Sequence, residues 1–183
     1  MCYDVSTSLN RQLKEAKKVG ASEAEIKYLE YRLKDLEKLK PGTETFQHFY
    51  TSGFSHQKLP VITNDKPGEI QLFHWGLNPF WVKDKQSAQA LARKTLNARG
   101  ETIFEKPSFR SAAKSKRCLV ILSGYFEHHW VDGNQKNKIP YYIEFKNKLP
   151  MYMAGLWEEW VNKETGEVVN TVSLVTTVAN EPL

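Results

Sequence analysis

Cys2 stands directly behind the initiator methionine, so methionine trimming makes it the N-terminus of the mature chain. A thiol and a free α-amine then sit on adjacent carbons. An α-amine has a pKa of about 8, against about 10.4 for lysine, so an appreciable fraction is neutral near pH 7. The thiol titrates near about 8.5, and lower beside positive charge. Such a 1,2-aminothiol attacks an aldehyde through nitrogen and closes on the same carbon through sulfur, forming a thiazolidine ring. No internal cysteine can do this. Position alone favours the bland reading, Cys2 as the chance neighbour of a start codon, so the weight falls on what the rest of the chain supplies.

Four stretches could supply chemistry. Ser123-Gly124-Tyr125-Phe126-Glu127-His128-His129-Trp130 ends a strongly apolar run, and strand alternation places Tyr125, Glu127 and His129 on one face. A carboxylate among aromatic rings is desolvated, which favours its protonated form and suits it to acid–base work. A surface glutamate on an edge strand explains the residue equally well, and the paired histidines read as ordinary surface or core residues. Leu96-Asn97-Ala98-Arg99-Gly100-Glu101-Thr102 reads as a polar loop, with Asn97 a turn former and Arg99 solvated. Leu72–Trp81 packs Phe73, Trp75, Phe80 and Trp81 around Gly76 and Pro79. Core packing accounts for most such clusters. The functional alternative is a stacking platform built on Trp75 and Trp81, where each base is worth about 1–3 kcal/mol. The basic stretch Lys106, Arg110, Lys114, Lys116 and Arg117 could track a phosphate backbone, and a solvated loop accounts for it just as well.

The elements that must hold these residues change character along the chain. Residues 8–40 read as a helical pair: Leu9, Leu13, Ala16 and Val19 recur at helical spacing, Gly20 breaks the run, and Ser22 with Glu25 forms a capping box. Ile26, Leu29, Leu33 and Leu36 form the apolar stripe of the second helix; its charged face is solvated. Beyond Pro41-Gly42 come short apolar or alternating runs at 59–63, 70–76, 118–125, 141–145, 151–157 and 171–178. Gly133 and Gly166 mark hairpin turns, and residues 86–94 a short helix. The fold class is α+β: one domain with a mostly antiparallel, strongly curved, barrel-like sheet and an N-terminal helical pair.

Composition bounds the rest. The 183 residues carry 40% hydrophobic and 26% charged side chains, a globular balance, and a net charge of +5 that suits a polyanion without requiring one. Cys2 and Cys118 are the only cysteines. They make no disulfide framework and no zinc-site spacing, so no metal or cofactor is expected. No apolar run reaches the roughly 20 residues that cross a bilayer, so no membrane partner is expected, and a reducing cytoplasm is the default compartment.

Met1-Cys2, Trp75-Gly76-Leu77-x-Pro79-x-Trp81, Asn97-Ala98-Arg99-x-Glu101-Thr102 and Gly124-Tyr125-Phe126-Glu127 occur in this order. In that order they resemble the SOS response-associated peptidase (SRAP) family, over essentially the whole chain. The segment Ser52-Gly53-Phe54-Ser55-His56 to Leu59-Pro60-Val61 resembles a bacterial branch of it. The resemblance implies an α+β barrel-like fold with a groove for single-stranded DNA, and a DNA-damage role. Family members recognise abasic sites and link to them covalently through the N-terminal cysteine. Carried over, Cys2 is the nucleophile and its product the thiazolidine. Asn97 orients the N-terminus and the opened sugar, and Glu127 is the acid–base group. Arg99 clamps a phosphate, and Trp81 packs against bases beside the lesion. The family's "peptidase" refers to autoprocessing, which exposes the cysteine in some members; here only Met1 precedes it.

Three departures stand out. The family's Met-Cys-Gly-Arg opening is here Met1-Cys2-Tyr3-Asp4, which replaces a phosphate-binding arginine by an acid. Its Asn-Ala-Pro segment is replaced around Ser52–Phe54. Its catalytic histidine belongs to a motif beyond the strand ending near Thr177, and the chain ends at Leu183 without it, so the C-terminal part of the family's domain is expected to be missing. Two other function classes remain: an N-terminal-nucleophile cysteine peptidase, with the α-amine as its own base, and a non-catalytic single-stranded nucleic-acid module using the basic loop and aromatics alone.

Overall fold

The computed structural model describes residues 3–37, 49–131 and 137–178; Cys2 and the turn expected at Gly133 lie outside them. The helical pair forms as α1, Leu9–Lys18, and α2, Glu23–Glu37. Gly20, at φ +74°, separates them. The capping box closes reciprocally: the Ser22 N–H donates to Glu25 at 2.8 Å and the Glu25 N–H to the Ser22 hydroxyl at 3.3 Å. The solvated face carries exposed pairs such as Lys27–Glu23, which contribute little to stability.

Among the described residues ten strands follow the expected alternation: β1 Asp4–Ser6, β2 Thr51–Ser52, β3 Lys58–Thr63, β4 Gln71–Trp75, β5 Asn97–Arg99, β6 Arg117–Leu122, β7 Gly124–Trp130, β8 Lys138–Ile143, β9 Met151–Val161 and β10 Val168–Thr176. Two further helices are α3, Lys85–Ala92, and α4, Arg110–Ser115. Strands β4-β3-β6-β9-β10 close into a barrel through the β10–β4 pairing, β5 extends along β10, and β2-β1-β7-β8 form a second sheet. The pairings are antiparallel except those of β10 with β4 and β5, which are parallel.

Period-2 alternation sorts the barrel strands into two faces. Val61, Phe73, Trp75, Cys118, Val120, Leu122, Trp157, Val172 and Leu174 fill the interior. On the outside, Leu9 and Leu33 of the helical pair pack on Ile70 and Ile121, and Phe109, Ala112 and Ala113 of the α4 region pack on Ala98 and Leu156.

The apolar run at 118–125 does not make one strand. It breaks at Ser123, whose buried N–H donates to the Ser6 carbonyl at 2.7 Å, and the chain passes there from the barrel (β6) into the second sheet (β7). Gly124 begins β7 because a Cβ there would lie 2.5 Å from the Ile143 carbonyl oxygen of β8. Nothing in hydrophobicity distinguishes one eight-residue strand from two shorter ones sharing a corner. The run at 151–157 extends instead into the single long β9.

Burial pushes the Cys118 thiol up to about 12. It therefore stays protonated at pH 8, where its thiolate, the reactive form, is scarce. Native protein treated with a chromogenic disulfide reagent should show Cys118 unlabelled at pH 8 and labelled promptly in denaturant. Prompt labelling of Cys118 in the folded protein contradicts its place inside the barrel.

Candidate functional site

The site residues are set by two short strands. β1 runs antiparallel to β7 with Asp4, Val5 and Ser6 opposite Phe126, Tyr125 and Gly124. The same register continued by one residue sets Tyr3 level with Glu127. Val5 and Tyr125 both pack into the interior cluster, as does Tyr3, so alternation turns Glu127 to the same side as Tyr3. Tyr3 is covalently next to Cys2. Its carbonyl accepts the Gly53 N–H at 2.7 Å.

Gly53 also ties Tyr3 to the second strand. A Cβ at this position would lie 2.9 Å from Leu96 Cδ1 and 3.2 Å from the Tyr3 carbonyl oxygen, so only glycine lets the two segments approach this closely. Leu96 immediately precedes Asn97. Its carbonyl accepts both the Trp75 indole N–H at 2.9 Å and the Leu174 N–H at 3.0 Å. Asn97 then lies in β5, paired in parallel with Leu174 of β10, rather than in the turn expected from its type. Both amide atoms of Asn97 are buried without a hydrogen-bond partner. A group in this condition forfeits about 1–3 kcal/mol until something bonds it. Native proteins leave few such groups, and those they leave call for an explanation such as a ligand.

Glu127 is half-buried, and its Oε1 accepts the His128 N–H at 3.3 Å. Tyr141 stands opposite it on β8, with the His129 ring edge-on to Tyr141 at 6.3 Å. Arg99 is exposed, two residues beyond Asn97 and therefore on its face of β5, level with Thr176. The Glu101 carboxylate is held below its usual range, first by the Val178 N–H and further by the Arg99 charge.

Trp75 offers no exposed ring to a strand. It is fully buried, and its indole N–H anchors the backbone in front of Asn97, so the expectation of a stacking ring at 75 is corrected to a supporting one. Trp81 is 47% exposed beside an exposed Phe80, and a surface hollow joins it to Lys83 and Lys94. Arg117 is exposed and alternates with the inward-facing Cys118, which puts it on the outer face of β6; Arg110 is exposed at the start of α4, which covers that side. Neither arginine shares the face of Asn97. Among the described residues no group of three or more metal-binding side chains converges.

Aromatic surface that composition did not reveal flanks Tyr3. The Tyr3 and Phe54 rings stack at 5.6 Å with an 18° interplanar angle, and Phe54 is 58% exposed. The Tyr50 hydroxyl donates to Asp4 at 2.9 Å, a bond that raises the Tyr50 pKa and gives the unexpected acid of the N-terminal motif a partner. The signal available in the sequence was the pair of departures at Tyr3-Asp4 and Ser52–Phe54, two segments that meet as β1 and β2.

Known proteins show what the chain is similar to. The family model described as SOS response associated peptidase (SRAP) matches residues 10–183. Abasic site processing protein YoaM of Bacillus subtilis is 34% identical over 147 residues, 80% of this chain and 61% of that protein. Abasic site processing protein YoqW of the same organism is 36% identical over 132 residues, 72% of this chain and 56% of that protein. This chain thus spans somewhat more than half the length of these curated relatives. A crystal structure of a Bacteroides thetaiotaomicron protein superposes with a TM-score of 0.72 at 35% identity, covering 98% of this chain and 69% of that one. With a family model matched from the first helix to the last residue, the chain belongs to the SRAP family.

Proposed function

We propose that this protein acts in the DNA-damage response by capturing abasic sites in single-stranded DNA as a thiazolidine crosslink to Cys2. The observation that carries the reading is the Asn97 amide, its atoms buried and unpartnered, in a strand whose preceding residue Leu96 packs against Gly53, the glycine bonded to the neighbour of Cys2. The names of the relatives, abasic site processing proteins, support the same substrate.

Each step balances without an oxidant or cofactor. The ring-closed abasic sugar opens when an acid protonates the ring oxygen and the C1′ hydroxyl proton leaves; Glu127 supplies the first proton and recovers the second. The neutral α-amine of Cys2 adds to the C1′ aldehyde, and loss of one water gives an imine. The thiol sulfur then bonds to the imine carbon while its proton moves to nitrogen, closing the ring. The net change is one water released. Asn97 holds the amine and the opened sugar in reacting geometry, a positioning role whose loss by even 1 Å costs about 10²-fold in rate. Arg99 takes a phosphate from the same face. Arg110 and Arg117, on the outer face, add only a general attraction for the polyanion, screened by salt. Peptidase chemistry on other chains is not needed, since removal of Met1 by ordinary trimming exposes the thiol and amine. A protein acting on DNA in this way works inside the cell.

The test is to incubate Met1-free protein with an oligonucleotide carrying one abasic site. A heat-stable adduct lighter by one water than the sum of protein and DNA is expected, and none with an intact oligonucleotide. Absence of the adduct from correctly trimmed protein refutes the proposal. Trp81→Ala should weaken binding of an intact single-stranded oligonucleotide about 5- to 100-fold, the loss of one stacked base. An unchanged affinity by fluorescence anisotropy removes Trp81 from the DNA path.

A further inference from the structure

A second cavity, of about 300 Å³, lies on the opposite face of the sheet from Asn97, between the parallel β4–β10 pair and α3. Its walls are Ala88 and Ala92 of α3 with Trp160 of β9, and Lys85, Gln89, Asn162 and Glu167 add polar groups to the lining. Two acceptors with no partner belong to it. His56 follows a 3-10 turn in a left-handed conformation, φ +50° and ψ +31°, that residues other than glycine adopt at a cost. Its Nδ1 lies 2.7 Å from the Trp75 carbonyl, which can only accept, so Nδ1 carries the hydrogen and Nε2 is left with a lone pair. That Nε2 is buried without a partner. Asn78 is 8% exposed, its N–H donates to the Thr171 hydroxyl at 3.0 Å, and its Oδ1 is likewise buried without a partner. Asn78 occupies an unspecified position in the Trp-Gly-Leu-x-Pro motif, so the motif does not account for it.

We infer that this cavity is a binding site for a nucleobase bearing an exocyclic amino group, with adenine the best match. A pocket walled by apolar side chains, with a few convergent polar atoms, is the form that small-ligand sites take, and 300 Å³ lies at the lower end of their size range. Two orphaned acceptors ask for two N–H donors on a flat, uncharged ligand; Lys85 and Glu167 offset one another and select no net charge. An amide side chain pairs with adenine through N6 and N7. The remaining N6 hydrogen is then free for His56 Nε2. Thymine, with a single N3–H, leaves one acceptor unserved. The base can come from a free nucleoside or from a strand lying on the protein, and the chemistry is the same. No step of the Cys2 reaction enters this inference.

The test uses Met1-free protein with adenosine, thymidine, and abasic-free (dA) and (dT) oligonucleotides, followed by the His56 ring nitrogen signals in NMR and by calorimetry. Adenosine should bind saturably, shift His56 Nε2, and bind at least 10-fold more tightly than thymidine. Asn78→Leu should weaken it at least 10-fold, and Ala88→Leu, which fills the cavity from the helix side and leaves both acceptors in place, should do the same. Cys2→Ala protein should bind adenosine as well as the parent, which separates failure here from failure of the crosslinking proposal. Binding of (dA) far tighter than adenosine assigns the site to a strand base, and comparable binding to free nucleosides. No shift at His56 with any probe, or adenosine affinity changed less than threefold in both folded variants, overturns the inference.

Discussion

Cys2→Ala protein should form no heat-stable adduct with abasic DNA, a loss of at least about 100-fold at the limit of gel detection. The variant keeps an α-amine of ordinary basicity at the same place, so it still adds to the aldehyde and forms an imine. An imine hydrolyses on heating, whereas the ring closed by sulfur does not. Borohydride should therefore rescue a trapped adduct in Cys2→Ala while leaving the parent yield unchanged. Protein that retains Met1 should give no heat-stable adduct without borohydride, because its amine and thiol are no longer on adjacent carbons. Asn97→Leu, which keeps the volume and removes an amide already without internal partners, should slow adduct formation about 100-fold without lowering stability. Equal heat-stable adduct from Cys2→Ala and parent ends the proposal.

Lys116→Met should destabilise the fold by about 3–5 kcal/mol, the usual consequence of leaving one buried charge without its partner. Glu158 is 1% exposed on β9, and its carboxylate bonds the Lys116 ammonium directly and the Glu159 N–H at 3.2 Å. The ammonium also lies 5.2 Å from the centre of the Trp157 ring. For a domain of this size each kcal/mol moves the melting midpoint by about 2–4 °C, so a fall of about 6–20 °C is expected by calorimetry. The double variant Lys116→Met/Glu158→Leu should recover most of it, because a desolvated ion pair is commonly matched by apolar residues of similar volume. A single-variant loss below about 1 kcal/mol contradicts the buried position of Glu158. The sequence placed Lys116 in a basic stretch for phosphate; in the fold this lysine is committed to Glu158.

What was legible in the chain was whatever depends on neighbours in sequence. The helical pair, its Ser22–Glu25 cap, the α3 helix, the β9–β10 hairpin at Gly166 and the strand at Glu127 all follow from period, cap and turn chemistry over a few residues. Short strands were not legible: β1, β2 and β5 run two or three residues each, too few for a period to register, yet they bring Tyr3, Gly53 and Asn97 together. Nor could composition separate Trp75 from Trp81, since both are tryptophans in one aromatic run and only the closure of β4 on β10 buries the first and leaves the second exposed. Arg99 and Arg117 differ in the same way, one on the face of Asn97 and the other outside. Local chemistry decides which element a segment becomes; which face of the sheet a side chain takes, and what meets it there, depends on pairings between residues scores of positions apart.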